Sequence, residues 1–372
     1  MSHAPDDKSS RKQYFTKVKE DFPDVMTLGE ARFIKRLPMR YGENPGYPAA
    51  FYAEEGASGA NMAALQVLQE GTKGLGYINV GDMDLGQRLV RKLTEIYPQA
   101  KTAVLIKHEM PSGVAMAADG LAAFDKAWGA DPLSNFGSVD VFNFEVDEAV
   151  AGRLVESVRN VEVVYAPGFT AGALAVLAGR KPLRVVRMGG SLHEPAVDNG
   201  LEYKRVAGGL LVQKRFDSKI VSPDSVDVVS RRKPTAAEIQ AAIFCWTVAC
   251  FTRSNAIVIG KGEEIQGIDS PLPMTIHGIG SGQRSRIDSA EGAIRLSRRG
   301  YGPKGCVLAS DAFMPFPDVV ELAAAYGITA IIYPLGSVKD LEVVAKADEL
   351  GLSMIVTRKP GETDCERCFL HR

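Results

Sequence analysis

The second half of the chain alternates short apolar runs with helical patterns, and this alternation constrains the fold more than any other feature. The apolar runs are at residues 255–260, 274–279, 306–309, 330–333 and 353–357, and the helical patterns are at 289–299, 318–325 and 339–350. Strands and helices of these lengths, taken in turn, are typical of α/β layers around a largely parallel sheet. The sequence therefore predicts an α/β fold.

The first half contains the same kinds of segment at less regular spacing. The patterns predict a helix at residues 82–97, buried strands at 102–106, 161–165 and 183–187, a loop at 107–113 and an alanine-rich helix at 114–128. Thr235 and Glu238 form a capping-box pattern at the start of a further helix that runs to about residue 251. This helix is apolar on nearly all sides, so it is expected to lie inside the protein.

The length of 372 residues exceeds what one hydrophobic core usually supports, which predicts two or more packed lobes. Residues 1–20 are expected to form a mobile polar lead. We place a first lobe at residues 21–200 and a second at 201–372, because a turn, charges and Pro223 cluster near that boundary.

Charge and apolar content exclude several classes of function. Lysine plus arginine number 44 and aspartate plus glutamate 45, so nothing favours nucleic acid, and an anionic ligand needs a local group of arginines. The longest apolar run, 241–251, is far shorter than the roughly 18–20 residues that span a bilayer. The five cysteines form no disulfide framework in so long a chain, and the N-terminus lacks the apolar core of a signal peptide. These features predict a reduced, soluble, cytoplasmic protein.

His108 is the first candidate for chemistry, because it directly follows a predicted buried strand and precedes a Pro-Ser-Gly turn. Ligands of open α/β sheets bind beyond the carboxyl ends of strands. Lys107 adds a positive charge beside the imidazole, and such a pair suits acid–base chemistry. The alternative is an ordinary charged loop at the surface.

Two loops in the second half could bind ligands. Glycines at 278, 280 and 282 lie between a strand and a helix, and Arg284 and Arg286 nearby suit phosphate or carboxylate, although a plain tight turn fits as well. Phe313 and Phe316 follow another strand. They suit a flat heteroaromatic ligand, or they fill a gap between lobes.

One CxxC pair stands near the C-terminus. Cys365 and Cys368, with His371, would supply only three ligands to a tetrahedral zinc. We therefore interpret the pair as part of a C-terminal turn.

Nine stretches in order along the chain resemble the transformylase domain of the bifunctional purine enzyme that joins aminoimidazole carboxamide ribonucleotide (AICAR) transformylase to inosine monophosphate (IMP) cyclohydrolase. They are MRYGENP (39–45), GYIN (76–79), KHEMPSG (107–113), DPLSNFG (131–137), GGLLVQ (208–213), SNAIV (254–258), GIGSGQ (278–283), SDAFMPF (310–316) and ADELG (347–351). The resemblance begins near residue 36 and covers roughly nine-tenths of the chain. About 35 residues before it are too few for a domain, so we expect a free-standing transformylase with the cyclohydrolase on a separate protein.

The resemblance implies two cytidine-deaminase-like three-layer α/β/α lobes and a homodimer whose active sites lie between the subunits. It implies transfer of a formyl group from 10-formyltetrahydrofolate to the 5-amino group of AICAR. Deaminases with related lobes hold zinc through His-x-Glu and Pro-Cys-x-x-Cys motifs. Here the Lys-His pair runs into Pro111, Ser112 and Gly113 without a cysteine, so no catalytic zinc is expected. The family also allows a structural potassium ion near Asp311.

The resemblance assigns roles to individual residues. His108 is implied to be the general base that takes the amine proton, and Lys107 the cation that stabilises the developing oxyanion. The implied AICAR-binding positions are Arg40, Tyr41, Gly137, Glu162, Asn255, Arg286 and Arg367. The implied folate-binding positions are Ile287, Phe313, Asp318, Ser337 and Val338.

Three other functions compete with formyl transfer to AICAR. A formyltransferase of the same fold with another donor or acceptor stays open, because Gly46 and Tyr47 stand where the family often has His-Gln. A catalytically silent AICAR-binding protein would have lost Lys107 or His108, and both are present. A deaminase is disfavoured because the zinc ligands are missing.

Overall fold

The computed structural model describes residues 16–156, 158–194, 200–215, 221–263 and 273–357. Across these ranges the chain forms eight α-helices: α1 (Tyr77–Ile96), α2 (Gly120–Ala130), α3 (Glu148–Leu154), α4 (Ala171–Ala178), α5 (Ala236–Ala249), α6 (Arg286–Ser297), α7 (Asp318–Ala325) and α8 (Asp340–Leu350). The strands of the first half are β1 (Val25–Leu28), β2 (Ala31–Pro38), β3 (Ala50–Glu54), β4 (Asn61–Gln69), β5 (Lys101–Lys107), β6 (Met110–Ala117), β7 (Val139–Phe142), β8 (Val163–Ala166) and β9 (Arg184–Gly189). The remaining strands are β10 (Leu201–Val206), β11 (Gly209–Lys214), β12 (Asp227–Val228), β13 (Ile257–Gly262), β14 (Met274–Gly280), β15 (Val307–Ser310), β16 (Ala330–Tyr333) and β17 (Ser353–Val356).

Twelve strands form one sheet in the order β12-β17-β16-β15-β13-β14-β6-β5-β7-β8-β9-β4. Only the pairs β7–β8, β8–β9, β15–β16 and β16–β17 are parallel, and the other neighbours are antiparallel. The prediction of a largely parallel sheet was therefore wrong. The reason is that the antiparallel hairpins β5–β6 and β13–β14 lie side by side at the centre of the whole sheet, where the two halves join.

The two halves of the sheet repeat the same topology outward from the β6–β14 pair. Each has a hairpin, a strand antiparallel to it, two parallel neighbours and an antiparallel edge strand. Two register pairs, Met116 with Met274 and Ala115 with Thr275, join the halves. The predicted α/β fold with two lobes is confirmed, while the lobe boundary after residue 200 stays a prediction.

Helices cover both faces of the sheet, which gives three layers. Helices α1 and α5 pack on one face over a core shared by both halves. Helices α2, α3 and α4 cover the opposite face of the first half, and α6, α7 and α8 that of the second. Alternate residues of β5 serve the two cores: Val104 and Ile106 face one, Ala103 and Leu105 the other. Because helices cover both faces of the sheet, side chains on both sides of a strand are buried, which explains the continuous apolar runs in the sequence.

Helix α5 is the internal helix that the sequence predicted. Residues 241–249 are all buried, and the helix contacts β13, β15, β16 and α1. The Oγ of Thr235 accepts from the Glu238 N–H at 3.1 Å, and Glu238 accepts from the Thr235 N–H at 2.8 Å. The capping box is therefore confirmed.

The alanine-rich segment after the Lys-His pair was assigned wrongly. Residues 110–117 form β6, whereas a loop at 107–113 and a helix from 114 were predicted. The helix begins only at Gly120, where the Asp119 side chain caps it by accepting from the Ala122 N–H at 2.8 Å. Alanine intrinsically favours a helix, and pairing of this segment with β5 overrides that preference.

Two small sheets were not predicted. Strands β1, β2 and β3 form one, and β10 with β11 forms a separate two-stranded ribbon. Of the predicted mobile lead, residues 1–15 lie outside the described residues. Among the described helices, none combines the length and apolar content that crossing a bilayer requires. The same part of the chain holds no group of three or more His, Cys, Asp or Glu residues arranged to bind a metal.

A buried carboxyl group, Asp140, lies at the start of β7. It is fully buried, and its Oδ1 accepts from Ser138 Oγ at 2.5 Å, while its Oδ2 has no hydrogen-bond partner. Burial raises the pKa of Asp140 to about 7, although the charges of Arg159 and Arg180 act in the opposite direction. The protonated form is therefore favoured by folding.

We expect the free energy of unfolding of the Asp140→Asn variant to increase, relative to that of the native protein, as the pH rises. The folded pKa lies above the ordinary value of 3.8, so the carboxyl contributes its full stability below that value and loses it as pH rises through about 7. The relative gain between about pH 4 and about pH 8 should exceed about 1.4 kcal/mol, the worth of one unit of pKa. Urea unfolding at the two pH values measures it, with exposed Asp24→Asn as the control. A pH-independent difference would contradict the titration of Asp140.

Candidate active site

The Lys-His pair lies at the tip of the β5–β6 hairpin. Lys107 pairs with Met110, and His108 and Glu109 form the two-residue turn between them. Their φ angles are +54° and +56°. Left-handed conformation at both central residues is characteristic of a type I′ turn, whose twist matches that of a hairpin. The imidazole is therefore carried by a defined turn instead of the longer loop that was predicted.

Asp82, in the second turn of α1, contacts the backbone of this hairpin tip. Its Oδ1 accepts from the Glu109 N–H at 2.6 Å, and the nearby backbone N–H of His108 lowers the pKa of the carboxyl group. Only 4% of Asp82 is exposed, and burial raises its pKa to about 7, with the two backbone N–H groups acting in the opposite direction. The acidic neighbours Glu109 and Glu162 raise the pKa further.

A cavity of about 370 Å³ adjoins the hairpin tip, and we call it the cationic cavity. It brings together six of the residues predicted from the sequence: Arg40, Tyr41, Lys107, His108, Gly137 and Glu162. It is also lined by residues to which the sequence analysis assigned no role of their own: Lys73, Gly76, Ile78, Asn79, Asp82, Phe136, Asn160 and Arg184. Four of its side chains are cationic: Arg40, Lys73, Lys107 and Arg184. Such a set suits a phosphorylated ligand.

Arg184 is the most informative residue that sequence reasoning missed. It is 4% exposed, and its Nε donates to the carbonyl oxygen of Gly74 at 2.8 Å while its Nη1 lies 3.5 Å from Glu162 Oε2. Burial lowers its pKa, and the charge of Glu162 opposes that shift. The sequence signal for Arg184 was an arginine directly before the apolar pair Val185 and Val186 of a predicted buried strand.

Glu162 is held on two sides. Besides the ion pair with Arg184, its Oε2 accepts from Asn79 Nδ2 at 3.4 Å. The Oδ1 of Asn79 in turn accepts from the Gly76 N–H at 3.0 Å at the start of α1. The GYIN motif therefore has a structural reason: its asparagine both caps α1 and orients Glu162.

Gly137 closes the cationic cavity beside Lys107. The Lys107 Nζ donates to the carbonyl oxygen of Phe136, and Gly137 has a φ of +90°. A Cβ at Gly137 would lie 3.7 Å from the Lys107 Nζ. That distance is an ordinary van der Waals contact, so glycine is favoured here by its backbone conformation alone.

A second cavity of about 370 Å³ lies on the other side of the hairpin tip, and we call it the apolar cavity. Met110 and Pro111 of β6, Ile276 and Ile279 of β14, and Leu296 of α6 supply much of its lining. Lys107 and His108 line both cavities. The pair therefore stands where the contents of the two cavities would meet.

The second half of the chain contributes a separate polar cluster. Arg286 is the first residue of α6, and its Nη2 donates to Asn255 Oδ1 at 2.9 Å. Its Nη1 donates to Ser310 Oγ at 3.0 Å and to the carboxylate of Asp311, which is fully buried. Asn255 Nδ2 also donates to the carbonyl oxygens of Gln283 and Arg284, at 2.9 and 3.1 Å. Asn255 therefore orients Arg286 and ties it to the glycine-rich loop.

Asp311 is the residue near which a potassium ion was expected. One of its carboxylate oxygens accepts from Arg286 and the other from Ser254 Oγ. The carboxylate is thus engaged by a cation that the chain itself supplies. The potassium site stays a prediction.

The five positions expected to bind folate lie on neighbouring loops. Ile287 is in the first turn of α6, Phe313 and Asp318 follow β15, and Ser337 and Val338 follow β16. The loops after β15 and β16 touch, because Lys339 Nζ lies 5.3 Å from the centre of the Phe316 ring. These loops stand at the carboxyl ends of parallel strands, the usual place for ligands.

All of these groups lie at one edge of the sheet. The antiparallel β6–β14 pair places the end of β14 beside the start of β6, and Ser281 Oγ lies 3.4 Å from Met110 Sδ. Among the described residues, however, none of the seven second-half positions lines either cavity. The seven are Asn255, Arg286, Ile287, Phe313, Asp318, Ser337 and Val338. One chain therefore presents two half-sites, and Arg367, Cys365 and Cys368 lie outside the described residues.

A comparison with protein families shows which family the chain belongs to. The model of the family described as AICARFT/IMPCHase bienzyme matches residues 5–296, well over half of the chain. The chain belongs to this family. The match contains the hairpin tip, the cationic cavity and the Asn255–Arg286 pair, and the family is an enzyme family of purine biosynthesis.

We expect Gly137→Ala to destabilise the protein by about 1–2 kcal/mol, because a Cβ is unfavourable at a φ of +90°. Gly152→Ala in α3 is the matched control, since nothing lies within 4 Å of the added Cβ and alanine favours a helix by about 0.5–1 kcal/mol. Urea unfolding of the two variants should give shifts of opposite sign. Equal shifts would show that the conformation of Gly137 does not matter.

Proposed function

We propose that this protein is an AICAR transformylase, which transfers a formyl group from 10-formyltetrahydrofolate to the 5-amino group of AICAR. The observation that carries the proposal is the Lys107–His108 tip between a cationic and an apolar cavity. A member of a family with two activities needs a site suited to one of them. An ammonium and an imidazole at the edge of a cationic ligand cavity suit group transfer to a molecule that is bound there.

The cationic cavity is the proposed site of the ribonucleotide. Arg40, Lys73 and Arg184 supply positive charge for its phosphate, and Glu162 supplies an acceptor for ribose or base hydroxyl and amine groups. The guanidinium of Arg40 lies 4.9 Å from the centre of the Tyr41 ring, which fixes both side chains at the rim. This placement would direct the aminoimidazole toward His108.

The proposed transfer is an addition followed by an elimination. The 5-amino nitrogen forms a bond to the formyl carbon while His108 takes a proton from that nitrogen. The formyl oxygen becomes an oxyanion, which the Lys107 ammonium stabilises. The bond between the formyl carbon and N10 of the folate then breaks, and the proton held by His108 passes to N10. The products are the formylated ribonucleotide and tetrahydrofolate.

The folate donor is proposed to use the loops after β15 and β16. Asp318 would accept from the amino-pyrimidine edge of the pterin, and Phe313 would flank its ring. Asp318 Oδ1 already accepts from the Val319 N–H at 2.8 Å, which holds the carboxylate at the start of α7. Ile287, Ser337 and Val338 would complete the contact.

A second copy of the chain is proposed to bring the half-sites together. The second-half positions line neither cavity of their own chain, so a homodimer with sites between subunits would explain why both sets exist. Asn255 and Arg286 of one subunit would then face the cationic cavity of the other.

We expect His108→Ala to abolish formyl transfer while AICAR binding is kept. Purified protein is assayed with AICAR and 10-formyltetrahydrofolate by the absorbance of released tetrahydrofolate, and binding is measured by calorimetry. Loss of a general base typically lowers the rate by about 10²–10⁴-fold. The exposed His193→Ala is the matched control and should keep full activity. An inactive native protein that still binds AICAR would contradict the transformylase assignment.

We expect two inactive variants to complement each other when mixed. His108→Ala and Asp318→Ala remove one residue from each half-site, so a mixed dimer has one site with both defects and one with none. Random exchange should restore about a quarter of the native activity, because half of the dimers are mixed and each has one intact site of two. Mixing His108→Ala with Lys107→Ala restores nothing, since both residues belong to the same half-site. No recovery in the first mixture would contradict sites shared between subunits.

A further inference from the structure

Asp82 holds a position in the site to which neither the family resemblance nor the proposed mechanism assigns a role. It is a buried carboxylate on α1 that accepts from the backbone N–H of Glu109 and lies beside the backbone N–H of His108. The bond to Glu109 is 2.6 Å long, as expected when the acceptor is charged. Asp82 therefore contacts the chain that carries the imidazole, not the imidazole itself.

The turn needs such support. A type I′ turn favours asparagine, aspartate and glycine at its two central positions, whereas this turn has histidine and glutamate. For residues with a Cβ, the left-handed backbone conformation is unfavourable. Hydrogen bonding of the turn backbone to a charged carboxylate is stronger than an ordinary hydrogen bond and offsets part of this cost.

Helix α1, which carries Asp82, is anchored in the hydrophobic core. Met83, Leu85 and Leu89, close to Asp82 in sequence, are fully buried in the core that both halves share. The hairpin tip packs directly on the helix, since a Cβ at Gly81 would lie 2.7 Å from Glu109 Oε1. Displacement of the tip would therefore require loss of the Asp82 bonds.

We propose that Asp82 is a positioning residue for formyl transfer: its carboxylate fixes the backbone of His108 and Glu109, and thereby the place of the imidazole between the two cavities. The inference rests on the proposed function for the chemistry it serves. The claim that Asp82 holds the backbone of the hairpin turn rests only on the observed contacts and does not depend on the proposed function.

Protonation of Asp82 should weaken this support. Its pKa is raised by burial to about 7, and an uncharged carboxyl group accepts more weakly than a carboxylate. The ionisable groups around it are Glu109, His108 and Lys107 from the hairpin, Glu162 from the start of β8, and Arg40, Lys73 and Arg184 from the cavity wall. Asparagine at position 82 resembles the protonated form at every pH.

The test compares Asp82→Asn with Asp84→Asn, an exposed residue of the same helix that pairs with Arg88. At about pH 8.5 we expect Asp82→Asn to lower kcat by roughly ten- to a hundred-fold, with KM for AICAR and its calorimetric Kd within about two-fold. The ratio of native to variant kcat should shrink below about pH 6.5, where the native Asp82 also carries a proton. Asp84→Asn should behave as the native protein.

A double-mutant cycle separates positioning from general destabilisation. Glycine adopts the left-handed conformation freely, so Glu109→Gly makes the turn less dependent on Asp82. In the Glu109→Gly background, Asp82→Asn should cost several-fold less kcat than in the native background. This background also serves if Asp82→Asn alone does not fold. Equal costs in both backgrounds would overturn the proposal.

A readout without turnover keeps the inference distinct from the proposed function. Of the five histidine amide signals in protein labelled with ¹⁵N-histidine, that of His108 should shift upfield in Asp82→Asn and stay in place in Asp84→Asn. If the native protein has no transformylase activity and the signal shifts, the proposed function fails and the role of Asp82 in the hairpin stands. If the signal does not move, or if Asp82→Asn loses AICAR affinity in step with kcat, Asp82 does not position His108.

Discussion

The antiparallel contact between β6 and β14 is the interaction on which the rest of the structure depends. Two register pairs convert two similar half-sheets into one sheet of twelve strands and let α1 and α5 cover a common core. Because the pair is antiparallel, the halves are related by a rotation of roughly half a turn. The first half thus presents the amino ends of β7, β8 and β9 at the edge where the second presents the carboxyl ends of β15 and β16. The similar halves consequently offer different surfaces at one edge.

This asymmetry explains why the repeated topology supports two distinct half-sites. At the first, Gly137, Glu162 and Arg184 precede or begin strands, and the chemistry comes from a hairpin tip. At the second, Asp311 and Phe313 follow a strand and Arg286 opens a helix. The common view that ligands bind at carboxyl ends applies to the second set. In the first half-site, only β5 has its carboxyl end at this edge, because β5 is antiparallel to its neighbour β7.

The sequence indicated most of the fold because burial on both faces leaves a strong signal. The apolar runs at 102–106, 330–333 and 353–357 are strands of the central sheet, and the capping box at Thr235 marks the start of an internal helix. The predictions were wrong where pairing between strands overrides local propensity. The alanines after Val114 favour a helix, but pairing with β5 makes this segment a strand. The direction of neighbouring strands, which made the sheet mixed, leaves no trace in a local pattern.

For the site, the sequence by itself determined the chemistry-bearing residues: Lys107 and His108 with the motif around them, and the glycine and arginine pattern before α6. Tertiary structure decided which residues surround them. Arg184, Asn79 and Asp82 are distant from the Lys-His pair in sequence and join it because α1, β5 and β9 meet at one edge. It also decided that His108 stands on a left-handed turn held by a buried carboxylate. Local sequence carries side-chain chemistry and periodicity, whereas the partners of a backbone N–H are set by packing between segments far apart in the chain.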